Sequence, residues 1–341
     1  MEYFSKIEES IVKLYQEYCG KLPTTIFPLP NSGSGRRYYR ITGIQEPVIG
    51  VYNHNKSENE AFFHFTRQFQ NNRINVPDIL QISKNKEFYL ISDLGNTTLF
   101  DWIKNENTIF NDDIILFYKK VIRELIRIQV IAGKNFDYSL ANPFKEFNKE
   151  AILFDLNYFR EKFLDSLNIQ YKDFRLHKDF NTLASEAIHS DLEYFMYRDF
   201  QSRNIMIYQS EPYFIDYQGG RKGPLPYDLV SLLYQAKAQM PENIRELLMN
   251  YYISTAQLFV PLHKNEFEKD YNTFALIRVL QTLGAYGLRG IIEQKKHFIE
   301  SIPYAINNLK GIIQKVEILN KMPELQKMIE QIFLIEYNYN E

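Results

Sequence analysis

The sequence predicts an α+β protein of two lobes, a small β-rich N-terminal lobe and a large, mainly helical C-terminal lobe. Three observations carry this expectation. The 341 residues are too many for one small core and suit two packed units. In residues 1–95, short β-like runs alternate with Gly- and Pro-bearing turns between helical patterns. From residue 96 to 341, long helical periodicities take over and are broken by one β-like interruption near the middle of the chain.

The elements follow in order. In "YFSKIEESIVKLYQEYCG", Ile7, Ile11, Leu14, Tyr15 and Tyr18 recur at helical spacing and end on Gly20, a C-terminal cap. "TTIFPL", "RRYYRITG" and "PVIGVYN" read as strands separated by the turns "PNSGSG" and "IQEP". "SENEAFFHFTRQFQNN" reads as a helix with Phe62, Phe65 and Phe69 on one face and a capping box at Ser57 and Glu60. "DILQIS" and "EFYLISDL", joined by "KNK", read as a hairpin. Then come helical patterns in "NDDIILFYKKVIRELIRIQVIAG" and around 150–168 and 175–190, and after the interruption the chain reads as helical almost to its end.

Composition narrows the class. Hydrophobic residues at 45% and charged residues at 24% are ordinary for a soluble globular protein. A formal charge of −2 gives no electrostatic case for nucleic acid or an anionic membrane. A single cysteine, Cys19, excludes an internal disulfide and fits a reducing compartment. The opening "MEYFSKIEES" is acidic without an apolar run, and no stretch is long and apolar enough to span a membrane. The expected setting is cytoplasmic. The 26 Phe and 25 Tyr are spread along the chain and read as core and lobe-contact filler, Phe195 and Tyr197 among them.

Chemistry concentrates in "MYRDFQSRNIMI" and "YFIDYQ". A core strand does not tolerate Arg198 beside Asp199 unless each has a partner, and a surface loop has no need of apolar flanks. The pattern predicts a loop held between two short buried strands. A tight turn between the apolar runs would bring Asn204 and Asp216, twelve residues apart, to one cleft mouth with Asp199 facing them. Two oxygen donors plus phosphate oxygens suit Mg²⁺, which takes few protein ligands. A third carboxylate off the metal can accept a hydroxyl proton. That is the minimum apparatus for moving the γ-phosphoryl group of ATP to an alcohol.

"YRDFQSRN" followed by "IDYQ" resembles the catalytic loop and metal-binding Asp of the protein-kinase-like superfamily. The resemblance implies a bilobal protein-kinase-like fold, with Asp199 as the catalytic Asp and Asn204 and Asp216 as the metal-binding pair. Tyr197 stands where the superfamily has His, and Tyr197, Arg198 and Asp228 would support the loop. Only "YQGGRKGPL" separates Asp216 from "PYDLVSLL", too little for a peptide platform. That short connection resembles the aminoglycoside phosphotransferase and choline kinase group, in which Asp228 braces the loop. "SGSGRRYYRI", "FYLISDLGNTTLFDWI" and "LQTLGAYGLRGIIEQKKHFIESIPYAINNL" are similar to the bacterial N-acetylmuramate/N-acetylglucosamine anomeric kinases. By this resemblance residues 1–95 form a nucleotide-binding lobe and 96–341 a catalytic and substrate-binding lobe.

On the nucleotide side, Ser32, Gly33, Ser34, Gly35 and Arg37 in "NSGSGRRYY" are candidates to fold over phosphates. Backbone groups near Asp93 and Leu94 would meet adenine, while the Asp93 side chain has the alternative of capping a turn. A kinase strand three carries a Lys paired with a helix Glu. "PVIGVYN" has none. Lys56, Arg36, Arg37 and Arg40 are the available cations, with Glu60 the candidate helix Glu.

For the acceptor, residues 217–341 hold 14 Lys plus Arg against 13 Asp plus Glu, no acidic trap for a polycation. A neutral or singly anionic sugar fits better. Arg203, Gln218 and Arg289 are candidate substrate contacts, with Arg221 and Lys222 as further cations. The six histidines lack metal-ligand spacing. The expected activity is Mg-ATP-dependent phosphorylation of a small-molecule hydroxyl, best an anomeric hydroxyl of a cell-wall amino sugar. Alternatives are an aminoglycoside, choline or other small-molecule kinase, or a silent nucleotide-binding pseudokinase. The sequence leaves the oligomeric state open.

Overall fold

A computed structural model describes residues 5–30, 35–43 and 46–335. Helix α1 (Lys6–Cys19) starts on a capping box between Ser5 and Glu8 and ends on Gly20 at φ 76°, as the sequence predicts. Strands β1 (Thr25–Pro28), β2 (Arg37–Thr42) and β3 (Val48–Tyr52) precede α2 (Lys56–Asn71), which is followed by β4 (Ile79–Ile82) and β5 (Phe88–Ser92). The five strands form one antiparallel sheet in the order β1-β2-β3-β5-β4.

Strand alternation sorts the sheet's two faces. Tyr39, Ile41, Val48 and Leu90 pack on Ile11, Leu14 and Tyr15 of α1. Ile49, Val51 and Tyr89 pack on the phenylalanines of α2. Gly50 is required where α1 presses on β3, because a Cβ there would lie 2.5 Å from the Ile11 side chain. The cap of α2 differs from expectation. Asn55 accepts the Glu58 N–H and is the N-cap, which makes Ser57 the second helical residue and Glu58, not Glu60, the third. Glu60 points outward and pairs with Lys86 at 2.5 Å.

The C-terminal part is mostly helical: α3 (Leu99–Asn105), α4 (Asp112–Ile126), α5 (Lys149–Phe159) and α6 (Asp173–Ala187) precede the β-like interruption. That interruption comprises β6 (Tyr194–Met196), β7 (Ile205–Tyr208), β8 (Glu211–Phe214) and β9 (Arg221–Gly223), paired antiparallel as β6-β9 and β7-β8. Strand β9 is missing from the sequence reading, since "RKG" carries no β signal. A Cβ on Gly220 would lie 2.3 Å from the Phe195 ring and one on Gly223 2.7 Å from the Met196 side chain, so the two glycines are what let β9 approach β6. Helices α7 (Leu225–Leu233), α8 (Glu242–Ala256), α9 (Lys264–Tyr286), α10 (Lys296–Ile299), α11 (Ile302–Ile313) and α12 (Pro323–Phe333) complete the chain.

One hydrophobic core runs from Ile49 and the α2 phenylalanines through Phe195, Tyr197 and Tyr217 to Ile332. Phe62 stacks on Tyr217 at 5.3 Å, and Phe69 meets Phe195 edge-on at 5.2 Å. Helix α2 is thereby fixed against the β6–β9 region, which sets the sheet over the loops that follow β6 and β8. Among the described residues, no helix is long and apolar enough to cross a membrane.

Candidate active site

The chain leaves β6 at Met196 and turns sharply. Arg198 sits at φ 77°, a strained conformation for a residue with a side chain, and the structure over-determines it. The carboxylate of Asp228, near the start of α7, accepts the backbone N–H of Tyr197 at 2.7 Å and of Arg198 at 2.8 Å. Gln129 adds a third hydrogen bond at 3.3 Å. The Arg198 guanidinium is held by both oxygens of Asp155 on α5, at 2.8 and 3.1 Å. Tyr197 is buried and donates its hydroxyl to the Ile215 carbonyl at 2.6 Å, tying the loop to the stretch after β8. These braces point Asp199 outward.

Past Asp199 the loop stays closed on itself. Phe200 is buried against Tyr197 and Phe214, and Ser202 donates to Gln235 from both its backbone and its hydroxyl. Asn204 donates its side-chain N–H to the Asp199 carbonyl at 2.9 Å and lies 3.4 Å from Asp216 Oδ2. The Ile215 N–H donates to the Asn204 carbonyl at 3.1 Å, so the β7-β8 hairpin delivers Asp216 beside Asn204. Asp216 is itself at φ 69°. Asp199, Asn204 and Asp216 therefore converge as the sequence predicts. Side chains of Asp199 and Asp216 remain 45% and 46% exposed, open to a ligand, whereas Asp155 is 2% exposed.

Three guanidinium groups surround Asp199. Arg278 of α9, itself buried, donates to Asp199 Oδ1 at 2.9 Å and to Gln281 at 2.7 Å, and lies over the Tyr227 ring at 5.7 Å. Burial pushes the Asp199 carboxyl up, but Arg278, then Arg198 and Arg203, outweigh it and hold the group below its ordinary value. Asp216 goes the other way. Burial raises it and the neighbouring Asp199 charge adds to that, against a hydrogen bond from Gln218. Burial also pushes Asp228 up to about 7, against the hydrogen bonds it accepts.

On the sheet side, alternation along β2 turns Tyr38 toward α2 and Arg37 to the other face, where it is exposed. Arg36, just before β2, is 4% exposed, with its guanidinium 3.1 Å from Glu58 and 4.0 Å from Asp216. Glu58 is therefore the helix Glu that approaches the site, in place of Glu60. Gln218 is a brace: it donates to Asp216 at 2.8 Å and to Glu58 at 3.4 Å. Asp93 is engaged by Arg40 at 2.6 and 2.9 Å and accepts the Gly95 N–H, a turn cap, while Leu94 is buried. Ser32, Gly33 and Ser34 lie outside the described residues; Gly35 is exposed.

The remaining candidate cations have partners or neighbours of their own, and Arg221, buried, lies close enough to Arg198 and Asp199 to feel their charges. Arg289, in the π-helical segment Gly287–Ile292 that continues α9, binds Glu293 at 2.7 and 2.9 Å. Lys222 pairs with Glu193 at 2.8 Å, Lys56 with Glu87 at 3.5 Å, and Arg221 donates to the Gly219 carbonyl. Arg203 is exposed beside Asp199. The sequence reading passed over Arg278 and Asp155. Both carry a legible signal: each is a lone charge inside an apolar helical run, "FALIRVL" and "AILFDLNYF", and a buried charge requires a partner.

Residues 25–259 match the model of the phosphotransferase enzyme family. The chain is 25% identical over 248 residues to an N-acetylmuramate/N-acetylglucosamine kinase of Neisseria meningitidis serogroup B, covering 71% of this chain and 72% of the relative. A protein of the same name from Pseudomonas aeruginosa is 22% identical over 316 residues, 91% of this chain and 90% of that one. Choline kinase from Cryptosporidium parvum shares the protein-kinase-like fold, with TM-score 0.62 at 14% identity, covering 96% of this chain and 99% of the other. The chain belongs to the phosphotransferase enzyme family.

Proposed function

We propose that this member of the family, an ATP-dependent small-molecule kinase, phosphorylates the anomeric hydroxyl of a cell-wall amino sugar, N-acetylmuramate or N-acetylglucosamine. The observation that carries the choice of acceptor is the cationic surround of Asp199. Arg278 touches its carboxylate and Arg203 and Arg198 lie close enough to depress its pKa. A polycationic aminoglycoside or a quaternary ammonium group would meet like charge there, and a neutral or carboxylate-bearing sugar would not. The names of the two bacterial relatives agree with this reading.

In the proposed reaction the acceptor oxygen forms a bond to the γ-phosphorus, the bond from that phosphorus to the β–γ bridging oxygen breaks, and ADP leaves. The hydroxyl proton passes to Asp199. Arg278 keeps that carboxylate ionised and oriented between turnovers, and Asp155 and Asp228 fix the backbone that carries it. Little covalent help is needed, since positioning and charge neutralisation supply most of the catalysis.

Asn204 and Asp216 would hold Mg²⁺. Among the described residues no three His, Cys, Asp or Glu side chains gather as a metal cage. One carboxylate and one carboxamide oxygen fit an ion that takes one or two protein ligands and fills the rest with phosphate oxygens and water. Bound there, the ion would neutralise charge on the transferring phosphoryl group. A cytoplasmic setting is consistent with the need for ATP.

The test is ADP release from Mg-ATP over a panel of N-acetylmuramate, N-acetylglucosamine, other hexoses, choline and kanamycin, with Asp199→Asn alongside. Turnover with an N-acetylated amino sugar, lost in the variant, supports the proposal. Turnover confined to choline or kanamycin overturns the acceptor, and nucleotide binding without turnover on any acceptor overturns the activity.

A further inference from the structure

The strand that should supply a phosphate-binding lysine has none, and the structure offers a replacement from its neighbour. We propose that Arg36, entering the cleft from the start of β2, is the cation that grips the nucleotide's phosphates, with Glu58 of α2 as its anchoring partner. The inference rests on the use of ATP, and not on which sugar is the acceptor.

The central strand cannot do this work. Val51 of β3, paired with Tyr38 on one side and Tyr89 on the other, faces α2 and is fully buried. Its position is apolar. Arg36 instead brings charge in from one strand away. Its guanidinium lies 3.1 Å from Glu58 Oε1, 4.0 Å from Asp216 Oδ1 and 5.9 Å from the centre of the Phe62 ring. A guanidinium buried to this degree is expensive to desolvate unless it is paired and fixed in place.

Glu58 is held in turn. Its other oxygen accepts from the Asn53 side chain at 3.1 Å, and Gln218 reaches Oε1 at 3.4 Å. Gln218 also donates to Asp216. An ion pair from Arg36 to Glu58 and hydrogen bonds from Gln218 to Glu58 and Asp216 thus connect the cation to the cleft of the proposed metal pair. An arginine suits this geometry better than a lysine would. Its planar fork of five N–H donors matches the paired oxygens of a phosphate as it does those of a carboxylate, where an ammonium offers a single point charge. The other cations available on these elements are committed elsewhere: Lys56 to Glu87, Arg40 to Asp93, and Arg37 to the opposite face of the sheet.

A lobe-tying ion pair with no part in binding makes a different prediction, and nucleotide affinity separates the two. Isothermal titration with Mg-ADP and with adenosine, both without acceptor, is run on wild type, Arg36→Met, Arg36→Lys, Glu58→Gln and, as a surface control, Lys86→Met. Thermal midpoints of the unliganded proteins are measured alongside. The expected result is an ADP affinity at least 10-fold weaker in Arg36→Met and partly recovered in Arg36→Lys, with adenosine affinity within twofold of wild type throughout. In kinetics, KM for ATP rises and KM for the acceptor does not.

Equal losses for ADP and adenosine, or unchanged ADP affinity in Arg36→Met, overturn the proposal. Should Arg36→Met fail to fold, Arg36→Lys and Glu58→Gln carry the test, and wild-type ADP affinity in both overturns it. Arg36-dependent ADP binding without turnover of any sugar leaves this inference standing while the acceptor reading falls. A wild type that binds neither ligand overturns it.

Discussion

Removing the carboxylate of Asp155 strands a buried guanidinium, and the consequence is measurable. Asp155 is 2% exposed and Arg198 16%, and the two are joined by a two-point ion pair at 2.8 and 3.1 Å. Breaking a buried pair by deleting one partner costs about 3–5 kcal/mol, because the remaining charge has lost both water and counter-ion. Unfolding entropy runs near 2.1 cal/mol/K per residue, about 0.7 kcal/mol/K for a chain of this length, so Asp155→Ala lowers the melting midpoint by about 4–7 °C. The continuous core between the sheet and the helices favours a single transition in which this shift is read. Deleting both charges is different. Asp155→Ala/Arg198→Met removes the stranded cation and recovers most of the loss, since an apolar replacement of a buried pair is often neutral. Scanning calorimetry on the two variants and wild type is the assay, with ADP release beside it. A single variant melting within 1 °C of wild type, on this scale of about 0.7 kcal/mol/K, would falsify the argument, as would a double variant no more stable than the single.

Three further outcomes are expected. Asp216→Asn lowers turnover by at least about 100-fold through lost charge stabilisation, yet the unliganded protein melts no lower than wild type, because burial already raises that carboxyl; a lower midpoint contradicts this. Arg278→Met removes the contact that holds Asp199 below its ordinary value, so the acid limb of the pH–rate profile moves to higher pH. An unmoved limb means Arg278 does not set the base. Asp228 is raised to about 7 in the folded chain, so between about pH 4 and 7 the folded state keeps a proton that the unfolded chain releases. Its contribution to stability is full below pH 4 and lost as pH rises through 7, on the order of 4 kcal/mol. Urea titrations across that range lose this component of the slope in Asp228→Asn, and parallel slopes in the two proteins refute it.

Much of this site was legible because its chemistry is local in sequence. Asp199, Asn204 and Asp216 lie within eighteen residues, bracketed by apolar runs whose turn brings them together. What escaped was long-range. Arg278 meets Asp199 across 79 residues and Asp155 meets Arg198 across 43, distances over which spacing carries no information. The α2 cap was misplaced by two residues because Ser57 and Asn55 are both good N-caps, and only the observed Asn55–Glu58 hydrogen bond decides between them. The candidate helix Glu, Glu60, pairs with Lys86 instead, and Glu58 is the one that meets Arg36. Strand β9 had no signal of its own: "RKG" becomes a strand by pairing with β6, a tertiary effect that overrides propensity.

The carboxylates of the candidate site fall into two tiers, and the division explains why the loop after β6 tolerates its strain. Asp155 and Asp228 are buried and spend their hydrogen-bonding capacity inward, on the Arg198 guanidinium and on the backbone N–H groups of Tyr197 and Arg198. Those contacts compensate the left-handed turn at Arg198, which on its own would be worth about 1–3 kcal/mol of strain. Asp199 and Asp216 are each about half exposed and reach solvent at the mouth of the cleft. Each is flanked by cations, Arg278 for the first and Arg36 for the second, so neither is left as bare negative charge before a phosphate arrives. Two acidic groups facing a polyanionic nucleotide would otherwise repel it. The arginines at 36 and 278, drawn from opposite ends of the chain, answer that one electrostatic problem from the two sides of the cleft.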